Sequence, residues 1–185
     1  MKINLSTLDQ ALTSVKKYKN IIVGFSGGID STVLLYGVCL LARKGLLRSN
    51  IKAIHVNHGL NDSCEEWESF CRRICSAYNV ELQVKNLEGL SKGSDHYSEG
   101  FLRTERYRKF ESALDPNSVL LLAHHHDDQI ETLLLRLNRG AGIRGLSGIP
   151  ERRSLGEGSI YRPLLNFDRN SISEFAKKEG LQWIE

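Results

Sequence analysis

The sequence has no apolar run near the roughly 18 residues that a membrane-spanning helix needs, and its first ten residues, MKINLSTLDQ, lack the apolar core of a secretory signal. These absences exclude a membrane role and point to the cytoplasm, where the sequon Asn61-Asp62-Ser63 is inert. The four cysteines, Cys39, Cys64, Cys71 and Cys75, contain no CxxC pair. Zinc-ribbon, thioredoxin-like and iron-sulfur sites therefore lack their usual spacing. Trp67, Phe70, Cys71, Ile74, Cys75 and Tyr78 instead recur at helical spacing on a helix expected over 63–78, so these thiols read as core. Charge of one sign is also scarce. A formal net charge of +3 permits a nucleic-acid partner only if the positive charge is local. There is no internal repeat, no low-complexity tract and no GxxxxGK[ST] loop.

What is present is an alternation. The 185 residues, 41% of them hydrophobic, suit one domain with a buried core. An amphipathic helix, expected to be capped near Ser6, carries Leu8, Leu12 and Val15. Strands follow at 21–25, 51–57, 80–86 and 118–123, and helices near 32–44, 63–78 and 99–114 separate them. A fifth strand is expected around 159–162, then a helix over 168–179 and a short run, LQWI. This order predicts an α/β fold: a parallel five-stranded sheet with helices on both faces, Rossmann-like. Segments 88–96 and 139–158 read as loops, the second loosened by glycines and rich in arginine.

Parallel sheets bind ligands beyond the carboxyl ends of their strands, and the unusual residues cluster there. After the first strand comes SGGIDS, Ser26 to Ser31. Gly27 and Gly28 let main-chain N–H groups approach an anion, and the following helix adds its positive N-terminal end. This is a phosphate cradle built from Ser26, Gly27, Gly28, Ile29 and Ser31. Asp30 would repel phosphate there unless a divalent cation lay between them, so it is assigned to Mg²⁺ held against pyrophosphate oxygens. At the second strand end stand His55, Val56 and His58. After the fourth comes HHHDDQIET, in which a helix starting near Asp127 would put Asp128 and Glu131 on one face, able to meet one amine, with Asp127 as cap. Of the three histidines, His124 is best placed to face the site. A metal centre competes for this string, but consecutive histidines diverge.

SGGIDS resembles the PP-loop of the N-type ATP pyrophosphatases. With HVNHGL, the ExxxRxxRY pattern at Glu99, Arg103, Arg106 and Tyr107, AHHHDDQIETLLLRLNRGAGIRGLSGIP and YRPLL, the chain resembles the tRNA(Ile)-lysidine synthases along nearly its whole length. Leu102 stands where that family commonly has alanine. The resemblance implies an adenine nucleotide alpha-hydrolase type of fold, with residues 1–185 as the PP-loop ATP-binding catalytic domain and the family's C-terminal tRNA-binding domains not included. It implies an enzyme that uses ATP and Mg²⁺ to adenylate C2 of the wobble cytidine in the CAU anticodon of tRNA(Ile). Free L-lysine then displaces AMP to give lysidine. In this reading His55, Val56 and His58 border the adenosine, Arg103 and Arg106 meet phosphate or charge developing on the adenylate, and Asp128 and Glu131 bind lysine. His124 joins Asp30 among the catalytic groups. Arg139, Arg144, Arg152 and Arg153 are expected on a flexible flap against the tRNA backbone. A homodimer is compatible with the resemblance.

Two other classes share some of these features. A tRNA thiolase or a glutamine-dependent amidotransferase would keep Asp30 but should bring a catalytic CxxC or a glutaminase region. A non-catalytic nucleotide-binding module would not need Asp128 and Glu131. Gly140, Gly142 and Gly145 spell GxGxxG, yet they follow a helix, so no dinucleotide site is implied.

Overall fold

The computed structural model describes residues 2–60, 63–87, 97–140, 142 and 147–184. The loop expected over 88–96 and the site residue Arg144 lie outside the described residues, as does Gly145. In chain order the elements are α1 (Leu5–Ala11), β1 (Asn20–Gly24), α2 (Ile29–Arg43), β2 (Asn50–Asn57), α3 (Cys64–Ala77) and β3 (Glu81–Asn86). They continue with α4 (Glu99–Glu111), β4 (Ser118–Leu121), α5 (His126–Asn138), β5 (Arg152–Leu155), β6 (Gly158–Tyr161) and α6 (Arg169–Lys178).

The sheet has six strands in the order β3-β2-β1-β4-β6-β5. Five run parallel, as expected, and β5 pairs antiparallel with β6 at one edge. The extra strand lies in a segment read as loop. Its residues RRSL carry too little apolar character to announce a strand, but Gly156, at φ 53°, opens a two-residue turn that folds them back on GSIY. Arg152 and Arg153 are thus held on an edge strand, a correction to the flexible flap expected for them. The first helix also begins earlier than Ser6. Asn4 accepts from the Thr7 amide while the Thr7 hydroxyl accepts from the Asn4 amide, a reciprocal cap.

The chain winds from β1 out to β3, then returns to place β4 on the other side of β1, so the direction of winding reverses between β1 and β4. Above such a reversal the connecting segments diverge and leave a crevice. The two sheet faces are covered unequally. On one, α1, α2, α3 and α6 bury Leu8, Leu35, Cys71 and Ile172 among others against Ile21, Val23 and Val119. On the other, Phe110 of α4 packs with Ile22, Ile54, Leu120 and Ile160. The four cysteines are buried free thiols.

Candidate active site

The SGGIDS turn is held by its own hydroxyls. Ser31 is buried, and its Oγ donates to the Gly28 carbonyl at 3.0 Å and lies 3.1 Å from the Ser26 hydroxyl. The Ser26 hydroxyl accepts from the Gly28 amide at 3.3 Å, and Thr32 Oγ1 donates to the Gly27 carbonyl. Ser31 therefore shapes the turn rather than standing free for a ligand. Gly27 takes φ 89°, in the left-handed region that glycine tolerates. A Cβ there would come 2.7 Å from Ile184 Cδ1, for the last described residues cross beneath the turn and the Ile184 amide donates to the Gly27 carbonyl at 3.0 Å. Gly28, the N-cap of α2, has no side-chain cap. The first turn of α2 thus remains open to an anion.

Asp30 sits in that first turn with its Oδ1 buried and without a hydrogen-bond partner. Burial raises its carboxyl above the ordinary value; His125 and Arg169 pull it down, and Asp128 pushes it up again. The His125 Nε2 lies 3.6 Å from the orphaned oxygen. The His125 Nδ1 accepts from the Asp127 amide at 3.2 Å, which puts the ring proton on Nε2, on the side of Asp30.

His125 is also the N-cap of α5, and Asp128 Oδ2 accepts from the His125 amide at 2.7 Å. The helix thus starts at His126 with His125 and Asp128 as its capping pair, and the cap expected of Asp127 is corrected. At the end of β4, His124 Nδ1 accepts from Arg162 Nε at 3.3 Å. Burial, then the Arg162 charge, lowers His124 to about 4, so it is neutral near pH 7 with its proton on Nε2. His55 is buried with its Nδ1 2.9 Å from the Phe25 carbonyl. Burial, followed by the neighbouring Arg106 charge, depresses the proton affinity of His58.

One cavity of about 390 Å³ gathers these groups. Ser26, Gly28, Asp30, Ser31, His55, Val56, His58, Arg103, Arg106, His124 and Asp128 all line it, so the ends of β1, β2 and β4 converge as the sequence suggested. Gly27 and Ile29 are not among its lining residues, and neither is Glu131, which is exposed one turn along α5 from Asp128. Arg139 and Arg152 are exposed and also outside it. Three groups carry no site role in the sequence reading: Tyr107 as a cavity wall, Arg162 through its contact with His124, and His125 beside Asp30. Arg162 had a signal, a lone cation within the apolar stretch IYRPLL. His125 had none, because only the tertiary structure brings it to Asp30.

The donor set fits a divalent cation of the Mg²⁺ type. Asp30 offers a buried oxygen without a partner, and Asp128 is the second carboxylate in the cavity. Among the described residues no cluster of three or more His, Cys, Asp or Glu could hold a metal by itself.

The PP-loop domain family model matches residues 2–185. The chain is 45% identical over 163 residues to a tRNA(Ile)-lysidine synthase of Pseudomonas fluorescens (strain Pf0-1), covering 88% of this chain and 36% of that protein. It is 40% identical over 185 residues to a tRNA(Ile)-lysidine synthase of Methylococcus capsulatus, covering 100% of this chain and 41% of that protein. The chain thus spans about two fifths of the length of these curated relatives. Among solved structures, a U34-tRNA thiolase from Methanococcus maripaludis with its [4Fe-4S] cluster aligns with TM-score 0.76 at 18% identity, over 98% of this chain and 64% of that one. An NH3-dependent NAD synthetase from Campylobacter jejuni aligns with TM-score 0.55, also at 18% identity, over 97% of this chain and 75% of that one. These two likenesses concern the fold. Among the described residues no helix is long and apolar enough to cross a membrane.

Proposed function

Because this chain belongs to the PP-loop domain family, an ATP-using family, we propose that it is the catalytic domain of a cytoplasmic tRNA(Ile)-lysidine synthase. ATP adenylates C2 of the wobble cytidine in the CAU anticodon with loss of pyrophosphate, and free lysine then displaces AMP. The observation that carries the ATP half is the unpartnered Asp30 oxygen beside an uncapped glycine turn. The names of the relatives support the choice of nucleic acid.

The main chain of Ser26–Ser31 and the open end of α2 bind the pyrophosphate end of ATP. His55 and Val56, at the end of β2, border the adenosine. On this reading Asp30 would hold Mg²⁺, which would supply charge neutralisation to the departing pyrophosphate. Neutral His124 offers an N–H donor to charge growing on the cytidine and adenylate. Asp128 and Glu131 draw the lysine ammonium. Against a thiolase reading stand the cysteines: burial pushes Cys71 and Cys75 up to about 12, which keeps them protonated and poor nucleophiles.

The two half-reactions can be measured separately, as tRNA-driven pyrophosphate release and as the mass of the modified nucleoside. Glu131→Gln should leave pyrophosphate release intact, let adenylated tRNA accumulate, and raise the lysine requirement about tenfold, the size of one charge-assisted contact. Asp128→Asn should do the same. A variant that loses pyrophosphate release first, with normal lysine dependence in the remaining activity, removes that carboxylate from the lysine pocket. Absence of any lysine-dependent mass change with the wild-type chain, under conditions where a full-length tRNA(Ile)-lysidine synthase gives one, rejects the function.

A further inference from the structure

Arg162 is a buried cation, only 2% exposed. Its acceptors are all neutral: His124 Nδ1 at 3.3 Å, the Pro150 carbonyl at 2.7 Å and the Tyr107 hydroxyl at 3.5 Å. Two further arginines meet at the same tyrosine. Arg103 of α4 lies 5.2 Å from the Tyr107 ring centre, with Nη2 3.5 Å from its hydroxyl, and Arg153 of β5 lies 4.6 Å from the ring centre. Among the described residues no carboxylate forms an ion pair with any of the three. Guanidinium groups gathered this closely repel one another, and burial of one of them adds a desolvation cost. Burial does pull Arg162 below its ordinary value, with Arg153 and Arg103 adding to the fall. An anion bound among them would relieve both effects.

We propose that Arg103, Arg153 and Arg162, arranged around Tyr107, form a second phosphate subsite that takes a backbone phosphodiester of the nucleic-acid substrate. Three observations favour this source over a phosphate of ATP. The SGGIDS turn already offers an ATP cradle, and it leads into α2 on one sheet face, whereas Tyr107 packs with the cluster on the other face. Arg103 and Arg153 are exposed, so a polymer can reach them from outside the cavity. Arg103, Tyr107 and His124 line the same cavity as Asp30, so a phosphate held there would fix a neighbouring nucleotide beside the nucleotide-binding turn. Planar guanidinium forks suit phosphate oxygens, and a buried fork held by three neutral acceptors is already oriented.

This inference rests on the proposed function and is tested by binding, with the unmodified chain, a tRNA(Ile) transcript and, separately, ATP. The double variant Arg103→Gln/Arg153→Gln should weaken tRNA binding about tenfold or more and reduce the slope of log affinity against log salt by about 0.7 to 0.9, the value of one phosphate. ATP affinity without RNA is read on Arg153→Gln alone, which lies outside the cavity lining and should leave it at the wild-type value. Arg162→Lys keeps the charge but not the fork, so it should weaken tRNA binding with the slope preserved. If ATP affinity falls while the tRNA slope is unmoved, the anion is a nucleotide phosphate and the phosphodiester assignment is overturned. If neither ligand responds in the folded double variant, the cluster has no anion role and the inference is overturned. A wild-type chain that binds ATP but no tRNA instead rejects the proposed function, and the subsite with it.

Discussion

Two strand-to-helix turns meet at the crevice, and they solve the same problem in opposite ways. The turn into α2 is made of glycine and hydroxyl residues, its N-cap Gly28 offers no side chain, and its acid, Asp30, keeps a buried oxygen without a partner. The turn into α5 is made of histidine and aspartate, and His125 and Asp128 satisfy the helix start between them. The bodies of the helices differ as well. α2 buries nine residues, whereas α5 buries none and exposes Ile130, Leu134, Leu135 and Leu137. The difference teaches where binding capacity comes from. An uncapped helix end rigidly anchored by its body leaves donors for a ligand, while a self-capped end presents side chains instead.

The largest effect expected from breaking this contrast is at Asp30. Asp30→Ala should lower ATP cleavage by about a hundredfold or more with little change in the thermal unfolding midpoint, since the buried Oδ1 has no hydrogen-bond partner to lose. Retained cleavage by the folded variant would put the function of the turn elsewhere. Next comes anchoring. Leu35→Ala, at a fully buried position of α2, should cost about 2 to 5 kcal/mol in urea unfolding, while Leu134→Ala, 55% exposed on α5, should cost less than about 0.5 kcal/mol. Equal costs would mean that α5 is packed after all.

The smallest effect is a pH dependence. His124 is depressed to about 4 in the folded chain against about 6.5 when unfolded. Between these values the unfolded chain binds more protons, so the contribution of His124 makes stability fall as pH drops from about 6.5 toward 4, at no more than about 1.4 kcal/mol per pH unit. Above about 6.5 it is flat. His124→Gln should flatten the acid limb of stability against pH by that amount, and an unchanged limb would show that His124 protonates freely in the folded state.

Much of this molecule was legible in its sequence because the signals are local. Alternating strands and helices follow from apolar periodicity, and SGGIDS after an apolar strand announces an anion site, since glycine and an uncapped helix end act through main chain that neighbours in sequence provide. The same locality explains why β5 was hidden: its strand character comes from pairing with β6 through the Gly156 turn, and no apolar alternation in RRSL records it. Asp30 could be singled out from its turn, but its orphaned oxygen facing the Nε2 of His125 depends on β1 and β4 lying side by side. So does the meeting of Arg103, Arg153 and Arg162 at Tyr107, which come from a helix, an edge strand and a loop. Sequence by itself determined the helices, the five parallel strands, the α/β class and the glycine-hydroxyl turn after β1. Tertiary structure alone decided which charges share a cavity and which remain without a partner, because electrostatic interactions depend on distances in space that chain order does not contain.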